Sequence, residues 1–212
     1  ATISFAHLPL LDAIAAAALR KIPAAALPQN LSNTAWAFAT LAFQDVPLMQ
    51  SIAAEALPKS AAFSAQDLAN TPWAFATCSL LSAPLLEAIS AQAITRIHEF
   101  DMQHLANPAW ALAELQCRDS PLLAAIAEAA ITRLVELRTQ NVSNTAWAFA
   151  VLSVRSEPLL EALAAASLRT IGEFTSQDLG TTAWSFSTIQ WASEPLLHSI
   201  SAAAIPRLTQ LT

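Results

Sequence analysis

The feature that most constrains the fold of this 212-residue chain is a set of residues that return every 37 positions. Tryptophan stands at Trp36, Trp73, Trp110, Trp147 and Trp184. Proline keeps the same step at Pro47, Pro84, Pro121, Pro158 and Pro195. Glutamine does so at Gln29, Gln66, Gln103, Gln140 and Gln177, and asparagine at Asn33, Asn70, Asn107 and Asn144, with Thr181 in the fifth place. Four interleaved series with one period indicate a repeat protein, in which each unit packs mainly on its neighbours.

Each unit predicts two helices, which we call A and B. Helix A holds the Gln, Asn and Trp series, and Ser64 with Asp67 forms an S-x-x-D capping box at one of its starts. Helix B opens at the repeated proline, whose missing N–H costs nothing in a first turn. The expected A helices lie near residues 29–43, 66–80, 103–116, 140–153 and 177–190. The expected B helices lie near residues 9–21, 47–59, 84–98, 121–135, 158–171 and 195–208.

These helices predict an all-α fold, a right-handed αα-superhelix (α-solenoid) of about 11 helices. We expect one domain over residues 1–212, divided into a partial repeat 1–28 and the repeats 29–65, 66–102, 103–139, 140–176 and 177–212. Neither end shows the polar capping repeat that usually closes such a stack. We therefore expect the array to continue beyond this sequence, or partners to cover its ends.

Composition limits the possible partners. The chain is 55% hydrophobic and 12% charged, about half the roughly 25% charge of an average soluble domain. Its apolar runs contain prolines at helix starts, so we interpret them as pairs of short buried helices and not as membrane spans. A net charge of −6 argues against a broad face that binds polyphosphates. Cys78 and Cys117 stand in no paired or metal-binding spacing, which favours two unlinked thiols.

The periodic residues themselves have structural interpretations. A tryptophan flanked by alanine and phenylalanine in an apolar helix predicts a core residue that fills the same hole in every repeat. The alternative is a row of rings on which nucleic-acid bases stack. We expect the Asn series to hydrogen-bond between adjacent A helices.

The sequence carries no motif of catalysis. With only Gly172 and Gly180, it has no glycine-rich phosphate loop, and we find no nucleophile elbow or HExxH motif. The four histidines occupy four different repeat positions, so periodicity does not cluster them. We therefore predict no enzyme, no metal, no cofactor and no small-molecule substrate.

Binding candidates come from two sets of positions. One cation position near the end of helix B holds Lys59, Arg96, Arg133 and Arg207. This row could contact phosphates, but Glu99 and Glu136 lie three residues after an arginine and could neutralise it. Two variable positions on helix A are candidates for recognition, or are exposed sites that drift. They are occupied by Asn30, Asp67, His104, Asn141 and Asp178, and by Thr40, Thr77, Glu114, Val151 and Thr188.

The unit QxLxNTxWAFATL, followed by a Pro-Leu-Leu helix, resembles the octotricopeptide repeat and its relatives over residues 2–212. The resemblance implies a helical-repeat protein of the chloroplast or mitochondrion that binds single-stranded RNA. It also implies that the start of helix A faces the RNA, with the series from Asn30 to Asp178 reading bases.

Two functions remain open. The first is a scaffold that docks protein subunits of a larger organellar assembly, such as a ribosome or a photosynthetic or respiratory complex. It is favoured by the low charge and the acidic balance. The alternative is a sequence-selective single-stranded RNA binder that controls RNA processing, stability or translation.

Overall fold

The computed structural model describes residues 8–208, with the side chains of all of them except 23–25 and 207–208. Within this range the chain forms eleven α-helices and no strand, which confirms the all-α prediction. The A helices are α2 (Pro28–Thr40), α4 (Ala65–Thr77), α6 (Met102–Glu114), α8 (Thr139–Val151) and α10 (Ser176–Thr188). The B helices are α1 (Leu8–Ala25), α3 (Val46–Ala56), α5 (Ala83–Thr95), α7 (Ser120–Thr132), α9 (Glu157–Thr170) and α11 (Glu194–Leu208).

The starts of the A helices follow the predicted capping chemistry. Ser64 and Asp67 form a complete capping box on α4, and Thr175 with Asp178 forms another on α10. On α6 the cap is Asp101, whose carboxylate accepts from the His104 backbone N–H at 2.7 Å. These caps satisfy backbone donors that the first helical turn leaves without partners. The starts of α4, α6 and α10 are thereby fixed by their own sequence, whereas α2 and α8 begin after Leu27 and Arg138 without a side-chain cap.

The A helices end two or three residues earlier than predicted, because each closes in a left-handed turn that the sequence does not signal with glycine. The residue in this turn has φ of 53–56° and is Ala42, Ser79, Gln116, Ser153 or Gln190. In the second unit the Ser79 N–H donates to the Ala76 carbonyl at 2.8 Å, and the Leu80 N–H to the Phe75 carbonyl at 2.9 Å. This pair of bonds is the Schellman motif, which glycine usually closes.

Five B helices (α3, α5, α7, α9 and α11) begin at the repeated proline as predicted, each with that proline in its first turn, and α1 begins at Leu8 beside Pro9. Asp45 and Asp119 cap α3 and α7 by accepting from backbone N–H groups at 2.9 and 3.0 Å. Four B helices continue directly, or after one residue, into short 3-10 helices that the sequence did not predict. These are Leu57–Ala62, Ile97–Glu99, Leu134–Glu136 and Ile171–Glu173.

Helices of the same kind pack on each other, which is consistent with a helical repeat. The described residues up to Phe100 form one compact unit, in which α2 packs on α4 and α1 on α3. Those from Asp101 form a second unit, in which α8 packs on both α6 and α10, and α9 on α7 and α11.

Leucine, isoleucine and phenylalanine fill the core of each unit. Phe63, Phe100 and Phe174, which precede A helices, are 2% exposed or less. The tryptophans are not in this core: Trp36 is 44% and Trp184 48% exposed, and Trp73, Trp110 and Trp147 are half-buried. The prediction that the Trp series is a core series is therefore wrong. Phenylalanine two residues later in helix A takes that role at Phe38, Phe75, Phe149 and Phe186.

Two further properties of the described residues bear on the sequence predictions. Burial raises the pKa of the Cys78 thiol, and Cys117 is half-buried; neither cysteine is in a disulfide. Among residues 8–208 no helix is both long enough and apolar enough to span a bilayer.

Candidate functional site

The repeated Gln, Asn and Trp residues lie together on one open side of each A helix, which we call the A face. In α4 it comprises Gln66, Asn70, Trp73 and Thr77, at positions i, i+4, i+7 and i+11, which share one side of a helix. All five glutamines are exposed, and the Asn or Thr position is exposed or half-buried in every repeat. In the second unit the Trp110 and Trp147 rings stack, with centroids 6.4 Å apart and planes at 30°. Four of the A helices thus present an amide pair beside an indole, and α10 presents Gln177 and Thr181 beside Trp184.

The asparagines of the A face do not form the expected bonds between helices. Within the described part of the chain, the side chains of Asn33, Asn70, Asn107 and Asn144 make no hydrogen bond. The prediction that this series bonds adjacent A helices is therefore wrong. An amide supplies two donors and an acceptor, so the series can serve a ligand outside the chain.

One of the two variable positions belongs to the A face. Thr40 and Thr77 donate back to the Trp36 and Trp73 carbonyls at 2.8 and 2.9 Å. Glu114 and Thr188 are exposed and Val151 is half-buried at the same position. The C-terminal end of the A face thus carries a different side chain from repeat to repeat: a hydroxyl, a carboxylate or an aliphatic group.

The other variable position is used largely by helix caps. Asp67 is 4% and Asp178 8% exposed, and each accepts from its own N-cap residue. Asp178 also accepts from the Ser143 hydroxyl of α8 at 2.9 Å, and His104 completes the cap of Asp101. Asn30 is exposed and Asn141 half-buried. The base-reading role of this series stays a prediction, and its two aspartates could reach a ligand only if their caps opened.

The cation row is paired with carboxylates wherever its side chains are described. Lys59 contacts Glu55 at 2.9 Å, Arg96 contacts Glu99 at 2.9 and 2.6 Å, and Arg133 contacts Glu136 at 3.1 and 2.5 Å. The predicted neutralisation of the two arginines is confirmed. The Arg207 side chain lies outside the described residues.

These pairs are strong enough to alter titration. Hydrogen bonds from the arginines lower the pKa of Glu99 and of Glu136, and the same bonds raise the pKa of Arg96 and of Arg133. The Arg96 guanidinium also donates to the Phe63 carbonyl of the preceding repeat. Arg96 therefore also links two neighbouring repeats, and the charge of the described row members is already compensated.

One apolar repeat position, in or just after the B helices, remains exposed or half-buried, and we call its residues the B row. It consists of Leu57, Ile94, Ile131, Leu168 and Ile205. Leu57 is 38% exposed, Leu168 36% and Ile205 60%, and the other two are half-buried. Three residues earlier stands an exposed small residue in four of the five repeats, at Ala54, Ala91, Ala165 and Ala202. The sequence did not single out this row, because its residues resemble the buried apolar positions of the same helices.

The second unit also holds an open cleft beside the B row. It has a volume of about 530 Å³ and lies between α9 and the loop that leads into α11. Leu168, Trp191, Glu161 and Glu194 are among its lining residues. The Arg155 guanidinium stacks over the Trp191 ring, 5.5 Å from its centroid, and contacts Glu157 at 3.1 Å. Among the described residues, no group of three or more His, Cys, Asp or Glu side chains could hold a metal ion.

The comparison with known protein families matches nearly the whole sequence, so it does not single out any one of these surfaces. The family model described as RNA-editing substrate-binding complex 6 protein matches residues 2–210. The chain belongs to this family. No curated protein matches it. The RNA-editing family, and not the octotricopeptide repeat, is thus the one that the comparison supports. For a member of this family, the B row and the A face are the two surfaces to be assigned.

Proposed function

We propose that the chain is a non-enzymatic subunit that holds partner proteins of an RNA-editing complex on its B row. The observation that carries this proposal is the set of apolar side chains left exposed or half-buried at the same repeat position in or just after successive B helices. Apolar side chains that stay open to solvent within each unit are typical of protein interfaces. Burying a whole leucine-sized side chain contributes about 1.5–3 kcal/mol, so covering the exposed third to half of each residue contributes about 1 kcal/mol.

The charge distribution supports proteins as partners. The described members of the cation row, which could have followed a phosphate backbone, are compensated by Glu55, Glu99 and Glu136. Nucleic-acid affinity depends largely on cations that neutralise phosphates. A partner protein needs no such cations, because interface cores are depleted of charge. Of the two organelles that the resemblance implies, we propose the mitochondrion, since the family match gives the chloroplast no support.

A matched pair of substitutions tests the B row. Leu57→Glu places a charge in the row, whereas Leu81→Glu places one at an apolar residue that is 59% exposed but lies outside it. Tagged variants are expressed in cells that assemble the complex, and their sedimentation with it is compared on density gradients. We expect Leu57→Glu to move to light fractions while Leu81→Glu sediments as the unchanged chain does. Equal sedimentation of both variants, each folded by circular dichroism, would refute the proposal.

The A face favours a second function, the binding of single-stranded RNA. Each A helix there presents an indole for stacking and amides for base edges, the two kinds of contact by which proteins hold unpaired bases. Because Gln and Trp recur in every repeat, this face would bind with little sequence selectivity. Because the chain has a net charge of −6 and the described members of its cation row are paired, its affinity would fall only weakly with salt.

A tryptophan pair tests this second function. Trp184→Ala removes an A-face indole, and Trp191→Ala removes one that lies in the cleft. Base stacking is worth about 1–3 kcal/mol, so Trp184→Ala should weaken binding of a labelled oligouridine about 5- to 150-fold. Trp191→Ala should leave the fluorescence anisotropy titration unchanged. Absence of binding even at low salt would exclude RNA from the A face.

A further inference from the structure

We infer that the cleft between α9 and α11 docks a cationic amphipathic segment of a partner protein. The inference rests on the proposed function and names one site and one partner chemistry for it. It is carried by three observations: the apolar cleft, the acidic side chains on its rim, and its continuity with the B row.

One wall of the cleft is formed by Trp191, at a position where the residue type varies between repeats. Trp191 follows the left-handed turn that ends α10, where earlier repeats have Phe43, Leu80, Cys117 and Val154. Its backbone N–H donates to the Phe186 carbonyl at 3.0 Å, which fixes the start of its side chain. The Arg155 guanidinium then holds the indole in place. A rigid aromatic side chain in a preformed cleft is the kind of contact that concentrates binding energy in protein interfaces.

The size and lining of the cleft suit one or two large apolar side chains. Its volume of about 530 Å³ falls within the range of roughly 300–1,000 Å³ that binding pockets occupy. Ala164, Ala165 and Leu168 of α9 line one side, and Trp191 and Pro195 lie on the other. Leu168 belongs to the B row as well, so an occupant of the cleft would continue onto the surface that we assign to partner proteins.

The negative charge of the residues that line the cleft indicates which kind of ligand it binds. Glu161 and Glu194 line the cleft, and within the described residues neither makes a hydrogen bond or an ion pair. Arg155 does not compensate them, because its own charge faces Glu157 at 3.1 Å. Two uncompensated carboxylates repel the phosphates of RNA and attract lysine or arginine. The occupant is therefore a protein segment with apolar residues on one side and basic residues beside them, as an amphipathic helix presents.

Binding of designed peptides to the full chain tests the inference. The probe is a labelled 18-residue helix with leucine on one face and lysine on the other, and its counterpart carries glutamate in place of lysine. We expect the lysine peptide to bind and the glutamate peptide to bind at least tenfold more weakly. Glu161→Gln with Glu194→Gln, and separately Trp191→Val, should each weaken the lysine peptide at least tenfold.

The matched control is Glu87→Gln, because Glu87 shares the repeat position of Glu161 but belongs to the first unit and does not line the cleft. It should leave binding unchanged. The glutamine variants leave the apolar core intact, so they remain informative if Trp191→Val unfolds. Equal effects of Glu87→Gln and the paired change, or no effect of either, would overturn the inference. The inference would also be overturned if the chain bound oligouridine and Trp191→Val abolished that binding, because the cleft would then bind RNA.

Sedimentation of the same variants separates this inference from the proposed function. If Leu57→Glu leaves the complex while Trp191→Val and the paired glutamine variant remain in it, the B row functions and the cleft inference is wrong. If the cleft variants leave the complex and Leu57→Glu remains, the cleft is the docking site and the assignment of the B row is wrong.

Discussion

Glycine at the left-handed turns should stabilise this protein, although glycine usually weakens a fold. The turn residues Ser79, Gln116 and Ser153 have φ of 53°, a conformation that costs a residue with a Cβ atom about 1–2 kcal/mol. Glycine removes this cost but loses about 0.5–1 kcal/mol through the greater freedom of the unfolded chain. Each substitution should therefore raise the free energy of unfolding by about 0.5–1 kcal/mol, and the triple variant by about 1.5–3 kcal/mol.

Urea denaturation followed by circular dichroism measures this effect. The control is Ala124→Gly, at an exposed interior position of α7, which should lower stability by about 1 kcal/mol. Glycine at the left-handed turns and glycine at position 124 should thus change the free energy of unfolding in opposite directions, and only the backbone conformation of the site determines which. A triple variant less stable than the unchanged chain would show that the A helices do not end in left-handed turns.

Three further predictions concern stability. Ser64→Ala removes the side-chain cap of α4 and should cost about 1 kcal/mol in the same urea assay; no loss would mean that the capping box is not formed. Phe186→Ala should lower the free energy of unfolding by about 3–5 kcal/mol, whereas Trp184→Ala, at a residue 48% exposed, should lower it clearly less. A larger loss from Trp184→Ala would show that the tryptophans belong to the core. The pKa of Glu136 is lowered by its bond from Arg133, so the pair stabilises the fold above the unfolded pKa and loses this contribution as the pH falls through the folded pKa. The difference in free energy of unfolding between the unchanged chain and Glu136→Gln should therefore shrink below about pH 4.5. A difference that grows as the pH falls would contradict the stabilising role of this pair.

Periodicity predicted the helices because it reports local structure. A proline in the first turn and a box such as Ser64 with Asp67 act within a few residues, so the sequence alone indicates where helices start. The ends of the A helices could not be predicted in this way. Their left-handed turns hold serine, glutamine or alanine, which carry no sequence signal for positive φ.

The wrong prediction for the tryptophans shows that a 37-residue period does not indicate whether a residue is buried or exposed. A residue recurs at this period whether its side of the helix is buried or open, so the series alone could not place Trp73. The spacing within one helix could have done so. Gln66, Asn70 and Trp73 share one side at i, i+4 and i+7, and two polar residues on that side indicate exposure, whereas Leu68 and Phe75 share the buried side.

The B row could not be found from sequence for a different reason. Ile94 and Ile131 have the same residue type and helical spacing as the buried Ile89 and Ile126. Which apolar positions remain uncovered depends on how one B helix packs against the next, and this information is not local. The cleft is an intermediate case, because Trp191 was visible as the one tryptophan outside the repeat.

Site-specific photo-crosslinking in the assembled complex shows which surface of the repeats contacts the partner proteins. A photoreactive phenylalanine analogue is placed at Leu57 or Leu168 of the B row, and at Trp36 or Trp184 of the A face, and the crosslinked products are identified by mass spectrometry. Our account predicts crosslinks to partner proteins from both B-row positions. B-row positions that yield no protein crosslink, while Trp36 and Trp184 yield all of them, would contradict it.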